Sequence, residues 1–294
     1  MTQLVQLQQI APTLRAAGYE VFAVSNDTVE RLADFADRHA ITFPLLSDED
    51  SAVIRAFGIL NTLIQPGEGA HMRWYGIPYP GTYITDAHGV VVDKDFHQHH
   101  ARRLSGPALV HRVLGTVPES TPDSPQAATD GPDVALRIHL SDPTLRLEVL
   151  STLVCQLDVA PGLHVYASGS PEQFTPVTLQ VHGHGLRFGP AAWPAPRQLD
   201  LPWLGLSVPV HEGPVTVTVP VTATSDLIRL GHGLDQHTAE LVVRCTYQAC
   251  DDSACGLPTE LSASLTVPLA TLVEPDGIKV YVDRIEGTQP GGTT

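Results

Sequence analysis

The sequence predicts two domains of different fold class, an α/β domain followed by an all-β domain. Helical and strand signals alternate over residues 1–115, which is typical of an α/β sheet. Residues 134–268 instead contain short strand-like runs separated by proline and glycine turns. Residues 116–133 hold four prolines and almost no apolar side chain, so they predict a linker. Residues 269–294 form a predicted C-terminal tail, and the total of 294 residues suits two domains.

In the first half, apolar periodicity and local end signals locate each element. Apolar residues recur at helical spacing as far as Leu14, and Gly18 follows as a helix stop. Asp27 or Thr28 can cap the second helix, and turn-forming residues join the last two strands into a hairpin. In chain order the predictions are a helix at 4–14, a strand at 21–24, a helix at 28–39, a strand at 43–46, a helix at 51–57, strands at 82–85 and 90–92, and a helix at 106–114.

The second half reads as a series of strands in which apolar and polar residues alternate. The predicted strands lie near residues 135–140, 146–159, 164–167, 177–182, 215–221, 240–248 and 261–267. Seven short strands with proline and glycine turns between them indicate a two-sheet sandwich.

Two cysteines stand on either side of a tight turn between the last two predicted strands. Four residues separate Cys250 from Cys255, so a hairpin can bring their Cα atoms within the roughly 4.4–6.8 Å that a disulfide needs. This spacing predicts a local, accessible and reversible disulfide. Cys155 and Cys245 lie in line with apolar strand residues, so we expect buried free thiols, with a disulfide between the sheets as the alternative.

Composition narrows the classes of partner. The formal charge of −15 argues against a phosphate-binding surface, so no nucleic acid partner is expected. No apolar run approaches the ~18 residues of a membrane span. No cofactor is predicted, and no metal site either, because His97, His99 and His100 lack nearby cysteines and are interpreted as surface residues. The sequence does not determine the oligomeric state.

Several segments of the first half occur in the order of a known family. They are Gly18-Tyr-Glu-Val-Phe-Ala-Val-Ser25, Phe43-Pro-Leu-Leu-Ser-Asp48, Ala56-Phe-Gly58 and Pro80-Gly-Thr-Tyr-Ile-Thr-Asp86. In these segments residues 2–115 resemble the peroxiredoxin (AhpC/TSA) branch of the thioredoxin-like superfamily. The resemblance implies a strand and a cysteine-bearing turn before the first helix, and both are absent here. It also implies that Pro80 takes the place of an arginine and resembles the cis-proline of thioredoxins.

The resemblance therefore leads us to expect a truncated thioredoxin-like domain. The missing strand belongs in the middle of the sheet, between the strands at 21–24 and 82–85. Unpaired backbone groups in that position would cost about 1–3 kcal/mol each. We accordingly expect an N-terminally shortened chain whose complete parent carries the reactive cysteine.

A second resemblance covers residues 134–268. The signature Tyr247-Gln-Ala-Cys250 to Cys255-Gly-Leu-Pro258, with the aromatic strand His164-Val-Tyr166, is similar to the N-terminal domain of the thiol:disulfide interchange protein DsbD. The resemblance implies an immunoglobulin-like sandwich in which Cys250 and Cys255 are the redox pair. It also implies that Trp203 and Tyr247 cap or shield the pair, and that a thioredoxin-like protein or domain exchanges with it through a mixed disulfide.

Together these patterns predict thiol–disulfide exchange through Cys250 and Cys255. One alternative is peroxide reduction by the complete parent, with the second domain as the reductant. Another is a non-catalytic binding module with a structural disulfide. The DsbD resemblance suggests a periplasmic location, but no signal peptide is visible in the sequence, so a cytoplasmic location stays open.

Overall fold

The computed structural model describes residues 2–64, 75–97, 102–202, 205–229, 233–234, 237–251 and 253–270. Within the described chain there are two compact units, and the first of them ends at Gly115. The first unit contains helices and strands, and the second is rich in β-strands. Of the helices that the structure describes, none is long and apolar enough to cross a bilayer.

The first unit alternates helices and strands, as the sequence predicts. Its helices are α1 (Thr2–Ala16), α2 (Val29–His39), α3 (Ala52–Ala56) and α4 (Gly106–Leu114). Its strands are β1 (Ala23–Ser25), β2 (Leu45–Ser47), β3 (Gly81–Thr85), β4 (Val91–Phe96) and β5 (Arg103–Leu104). Strand β1 pairs with β2 in parallel, and β3 pairs with β4 as an antiparallel hairpin.

Local capping explains where the helices of this unit begin and end. The Thr28 hydroxyl accepts a hydrogen bond from the Arg31 amide at the start of α2, and Ser105 caps α4 in the same way. At α3, the Asp48 carboxylate accepts the amides of Val53 and Ile54. Burial acts to raise the pKa of Asp48, but the backbone hydrogen bonds outweigh it and lower that pKa.

Four strands of the first unit form two separate two-stranded sheets, β1-β2 and β3-β4. Ala11, Leu14, Val21, Ile41 and Phe43 make a buried cluster between α1 and the β1–β2 pair. Among the described residues, β1 has only β2 as a neighbour and β3 has only β4. No described strand lies between β1 and β3, which is where the resemblance leads us to expect a missing strand.

One expectation from the first resemblance is not met. The described residues contain no cis peptide bond, so the bond before Pro80 is trans. Pro80 does not therefore reproduce the cis-proline of thioredoxins.

The second unit contains fifteen strands in the described residues. They are β6 (Gln126–Asp130), β7 (Val134–Leu140), β8 (Leu145–Arg146), β9 (Val149–Val159), β10 (His164–Tyr166), β11 (Thr178–His182), β12 (Leu186–Phe188), β13 (Arg197–Leu201), β14 (Leu206–Glu212), β15 (Pro214–Ala223), β16 (Ile228–Arg229), β17 (Gly233–Leu234), β18 (Thr238–Tyr247), β19 (Ala249–Cys250) and β20 (Thr259–Ala270). The larger sheets have the orders β12-β15-β9-β7-β6, β11-β18-β20-β8 and β13-β14-β10-β19.

A single large core lies under the first two of these sheets. Alternate residues of β7, β9 and β15 are buried, and so are alternate residues of β18 and β20. Leu136, Leu157, Val217, Val243 and Val267 are among the side chains with no exposed surface. The period-two burial confirms the strand positions that the alternating sequence predicts.

Two details of the sequence prediction are corrected. Residues 126–130, predicted as linker, form β6 and pair with β7. Ala127 packs against the core, and the Thr129 hydroxyl donates a hydrogen bond to the Ser262 carbonyl. The single strand predicted at 146–159 is divided into β8 and β9. The reason is Glu148, whose positive φ of 59° interrupts the extended backbone.

The buried core predicts a strong effect of side-chain truncation. Leu157→Ala should lower the free energy of unfolding of the second unit by about 2–5 kcal/mol, because it leaves a cavity between the sheets. Native-state hydrogen exchange at the amides of β7, β9 and β15 measures this change. The matched control is Leu257→Ala, at a residue that is 86% exposed, which should stay within about 0.5 kcal/mol. Equal effects of the two substitutions would contradict the placement of this core.

Candidate functional site

Cys250 and Cys255 form a disulfide, as the sequence predicts. Their sulfur atoms are 2.05 Å apart and their Cα atoms 4.0 Å apart, slightly closer than expected. The two residues face each other in an antiparallel bridge. Two backbone hydrogen bonds lie on either side of this pair. The Asp251 amide donates to the Ala254 carbonyl, and the Gly256 amide donates to the Ala249 carbonyl. In an antiparallel pair of strands, opposite residues that do not hydrogen-bond to each other have Cα atoms about 4.5 Å apart. Cys250 and Cys255 form such a pair, which explains why their Cα atoms lie so close.

The turn between the cysteines is organised by one carboxylate. Asp251 Oδ1 accepts hydrogen bonds from the Ser253 amide, the Ser253 hydroxyl and the Ala254 amide, at 2.7, 2.8 and 2.7 Å. The Ser253 hydroxyl, followed by the two amides, lowers the pKa of Asp251. Asp251 therefore stays ionised at neutral pH and holds the turn closed.

The two sulfur-bearing residues have different environments. Cys250 is 1% exposed and belongs to a buried cluster with Tyr166, Leu201, Val208 and Val210. Cys255 lies on the exposed side of the turn. Strand β19 places Cys250 in the sheet through its pairing with β10. Cys255 is therefore the more accessible of the two cysteines.

Aromatic side chains of one strand and one loop line the buried side of the disulfide. The Tyr166 hydroxyl lies 3.7 Å from Cys255 Sγ. Phe174 packs on Tyr166 with ring centroids 4.3 Å apart, and His164 meets Tyr166 edge-on at 5.4 Å. Burial raises the pKa of Tyr166, so its hydroxyl stays protonated and can donate a hydrogen bond to the sulfur.

Of the two predicted shielding residues, Tyr247 and Trp203, the structure describes only Tyr247. Tyr247 has no exposed surface and belongs to the main core, because alternation along β18 turns it inward. Trp203 lies outside the described residues. Tyr166 takes the position beside Cys255, and the sequence analysis noted it only as part of an aromatic strand. The pairing of β10 with β19, which brings Tyr166 close, joins residues more than 80 positions apart.

Cys155 and Cys245 are free and buried, which confirms the expectation of buried thiols. Burial raises the pKa of each thiol to about 12. For Cys155, charge on the nearby Cys245 acts in the same direction. Because the thiolate is the nucleophile, both are inert at neutral pH in the folded protein.

The described residues contain no group of three or more histidine, cysteine or acidic side chains that could hold a metal ion. His97 lies near the Asp95 carboxylate, with 3.1 Å between Nε2 and Oδ2. His99 and His100 lie outside the described residues.

Two protein families match different parts of the chain. The AhpC/TSA family matches residues 1–94, and the family described as "Thiol:disulfide interchange protein DsbD, N-terminal" matches residues 148–267. The chain joins an AhpC/TSA-like region to a DsbD-like region. Both predicted resemblances are thereby confirmed: the first region is thioredoxin-like, and the second is a β-rich domain resembling the DsbD N-terminal domain.

Among individual proteins, the chain is similar to peroxiredoxin Bcp of Escherichia coli strain K12. The two are 36% identical over 82 residues, which cover 26% of this chain and 47% of Bcp. The chain thus spans about half the length of the curated relatives that it matches.

Two solved structures are similar to part of the chain. One is the N-terminal periplasmic domain of ScsB from Proteus mirabilis, with a TM-score of 0.35, 13% identity, and coverage of 58% of this chain and 61% of that one. The other is the reduced DsbD N-terminal domain of Neisseria meningitidis, with a TM-score of 0.27, 12% identity, and coverage of 49% and 85% respectively.

The difference between the two kinds of cysteine predicts a simple labelling pattern. After reduction of the folded protein at pH 8, iodoacetamide should label Cys255, and Cys250 more slowly, but neither Cys155 nor Cys245. A thiol with a pKa of about 12 has a thiolate population roughly a thousandfold below that of an ordinary cysteine at this pH. Mass spectrometry of peptides measures the pattern.

The control for this labelling is the same reaction in concentrated urea, where all four cysteines should react at similar rates. Rapid labelling of Cys155 or Cys245 in the folded protein would show that the core is not closed around them.

Proposed function

We propose that the second unit carries out thiol–disulfide exchange through the Cys250–Cys255 couple. The observation that carries the proposal is a local disulfide with one exposed and one buried cysteine. The match of residues 148–267 to the DsbD N-terminal family supports it.

We further propose that this unit is an immunoglobulin-like sandwich extending over residues 134–268, since two sheets contribute to one core.

In the reducing direction, a thiolate of the partner attacks Cys255 Sγ. The Cys250–Cys255 bond breaks, and Cys250 leaves as a thiolate and takes a proton. The partner is now joined to Cys255 by a mixed disulfide. A second thiolate of the partner attacks its own sulfur in that bond and releases Cys255. Two electrons have then passed to the couple, and the partner dithiol has become a disulfide.

The surroundings of the couple favour attack at this one sulfur. Cys250 is enclosed by the Tyr166 cluster, which blocks an approach from that side. The Tyr166 hydroxyl beside Cys255 can donate a hydrogen bond to the sulfur when Cys255 leaves as a thiolate. The negative charge of Asp251 opposes the thiolate form of both cysteines, so a low-pKa thiol of the partner is required to start the exchange.

The partner proposed for this exchange is a thioredoxin-like protein or domain with two cysteines. Such a partner supplies both the attacking and the resolving thiol. Residues 1–115 are thioredoxin-like but contain no cysteine, so within the given sequence they do not supply these thiols. For the same reason, residues 1–115 of the given sequence contain no thiol that could reduce a peroxide.

Single cysteine variants test which sulfur is attacked. Cys250→Ala leaves the exposed Cys255, which should react with 5,5′-dithiobis(2-nitrobenzoate) at least tenfold faster than the buried Cys250 left by Cys255→Ala. Release of the coloured thiolate measures each rate, and Cys155→Ala in both backgrounds controls for core thiols. Equal rates, or a faster Cys255→Ala variant, would contradict attack at Cys255.

The reduction potential distinguishes exchange from a structural role. An exchanging couple should have a potential above about −300 mV, whereas structural disulfides lie below that value. Equilibration with dithiothreitol redox buffers, followed by alkylation and mass spectrometry, measures it. A reduction potential below about −300 mV would show that the disulfide is structural, and it would contradict the proposed function.

A further inference from the structure

His164 lies directly opposite Cys250 in the sheet that carries the disulfide. Strand β10 pairs with β19 so that His164 faces Cys250 and Val165 faces Ala249. Opposite residues of an antiparallel pair lie on one face of the sheet, with Cβ atoms about 4.5–5.5 Å apart. At that separation an imidazole ring can reach the sulfur of the opposite side chain. The fold therefore places a histidine beside the sulfur that leaves in the proposed exchange.

His164 and Cys250 are both buried, and a second ring links the histidine to the other sulfur. His164 is 4% exposed and Cys250 is 1% exposed. The His164 ring meets Tyr166 edge-on, and the Tyr166 hydroxyl lies beside Cys255 Sγ. Each sulfur of the disulfide thus has its own neighbour with a titratable group, Tyr166 at Cys255 and His164 at Cys250.

A thiolate formed at Cys250 has almost no water to stabilise it. Opening of the disulfide leaves a negative charge on this sulfur, inside a cluster formed by Tyr166, Leu201, Val208 and Val210. Burial of an unpaired charge is costly, and a buried ionisable group takes its neutral form instead. The leaving sulfur therefore needs a proton donor within the fold.

Two carboxylates stabilise a positive charge on His164. Glu212 of β14 lies opposite His164 on the other side of β10. Hydrogen bonding from Arg197 contributes most to lowering the pKa of Glu212, and charge on His164 adds to it. The Ser253 hydroxyl contributes most to lowering the pKa of Asp251, and charge on His164 again adds to it. This attraction is mutual, so both carboxylates favour the imidazolium, whereas burial of the ring and the charge of Arg197 oppose it.

From this arrangement we propose that His164 exchanges a proton with Cys250 as the disulfide opens and closes. The inference rests on the thiol–disulfide exchange proposed above, and it names the source of the proton that Cys250 takes up. When the partner thiolate attacks Cys255 Sγ, the electron pair of the broken bond moves to Cys250 Sγ. The His164 imidazolium gives its proton to that sulfur and becomes a neutral imidazole, which regains a proton from solvent.

The same group serves the oxidising direction. The neutral His164 imidazole takes the proton of the Cys250 thiol and becomes an imidazolium. The Cys250 thiolate then attacks Cys255 Sγ in the mixed disulfide, and the partner leaves as a thiolate. The disulfide of this chain is restored, and the partner has received the two electrons.

His211 is a matched control within the same sheet. It lies on β14 opposite Val165 and is 6% exposed, so it is almost as buried as His164. Successive residues of a strand point to opposite faces, so His211 turns away from the disulfide. Its ring stacks on Trp193 instead. His211→Gln and His164→Gln therefore remove the same ring from opposite faces of one sheet.

The pH dependence of disulfide reduction tests the proposal. The full chain is reduced with excess dithiothreitol between about pH 5 and 8, the range in which histidine changes charge. Alkylation and mass spectrometry measure each rate, which is divided by the concentration of dithiothreitol thiolate. The corrected rate should fall about tenfold or more with rising pH in the unmodified protein and in His211→Gln, because the imidazolium donor is lost. In His164→Gln it should stay nearly constant.

The outcomes separate this inference from the function on which it rests. Equal pH profiles in the three proteins would overturn the role of His164 and leave the exchange itself in place. A corrected rate that does not change with pH in the unmodified protein would overturn the role of His164 whether or not the variants fold. A disulfide that dithiothreitol does not reduce in the folded protein would overturn the proposed function, and this inference with it.

A second variant keeps His164 in place. Glu212→Gln removes a carboxylate that favours the imidazolium, so the fall in the corrected rate should move to lower pH by about half a unit or more. The same dithiothreitol measurement determines the midpoint. A midpoint equal to that of the unmodified protein would show that another group titrates, and would overturn the proposal.

Discussion

The pairing of β19 with β10 is the interaction on which the candidate site depends. It fixes Cys250 opposite His164 and brings Ala249 opposite Val165, so the first cysteine is built into a sheet. The chain then turns at Asp251 and returns with Cys255 outside the sheet. One cysteine of the disulfide is thus buried, and the other is exposed. The pairing with β10 thus accounts for the burial of Cys250, which is 1% exposed.

Burial decides what each of the four cysteines can do. Cys155 and Cys245 have the same side chain as the pair at the turn, but the core around them raises the pKa of each to about 12. Cys255 is exposed and is bonded to Cys250 in the turn. The second unit therefore has an exposed cysteine at its turn and two buried, inert thiols in its core. In the proposed exchange, this separation limits the reaction to one bond.

Local signals predicted much of this structure, and long-range pairing accounts for what they missed. Helix α4 occupies the predicted residues 106–114, because Ser105 and Gly115 cap it locally. The disulfide could also be predicted from the sequence, because Cys250 and Cys255 are only five positions apart, on either side of one turn. Tyr166 could not be chosen from the sequence, since its position beside Cys255 needs two strands that are distant in sequence. Strand β6 was missed because a proline-rich composition surrounds it.

The first unit poses an energetic problem that the second does not. A two-stranded sheet alone is marginal in water, and the described part of this unit contains two such sheets. In the second unit, β9 pairs with both β7 and β15. The inward side chains of these strands pack against the opposing sheet in one core. Unpaired backbone groups beside apolar surface are costly, at about 1–3 kcal/mol for each buried group. Within the described residues, the first unit is therefore held by its own small apolar cluster, whereas the second unit combines paired strands with a large shared core.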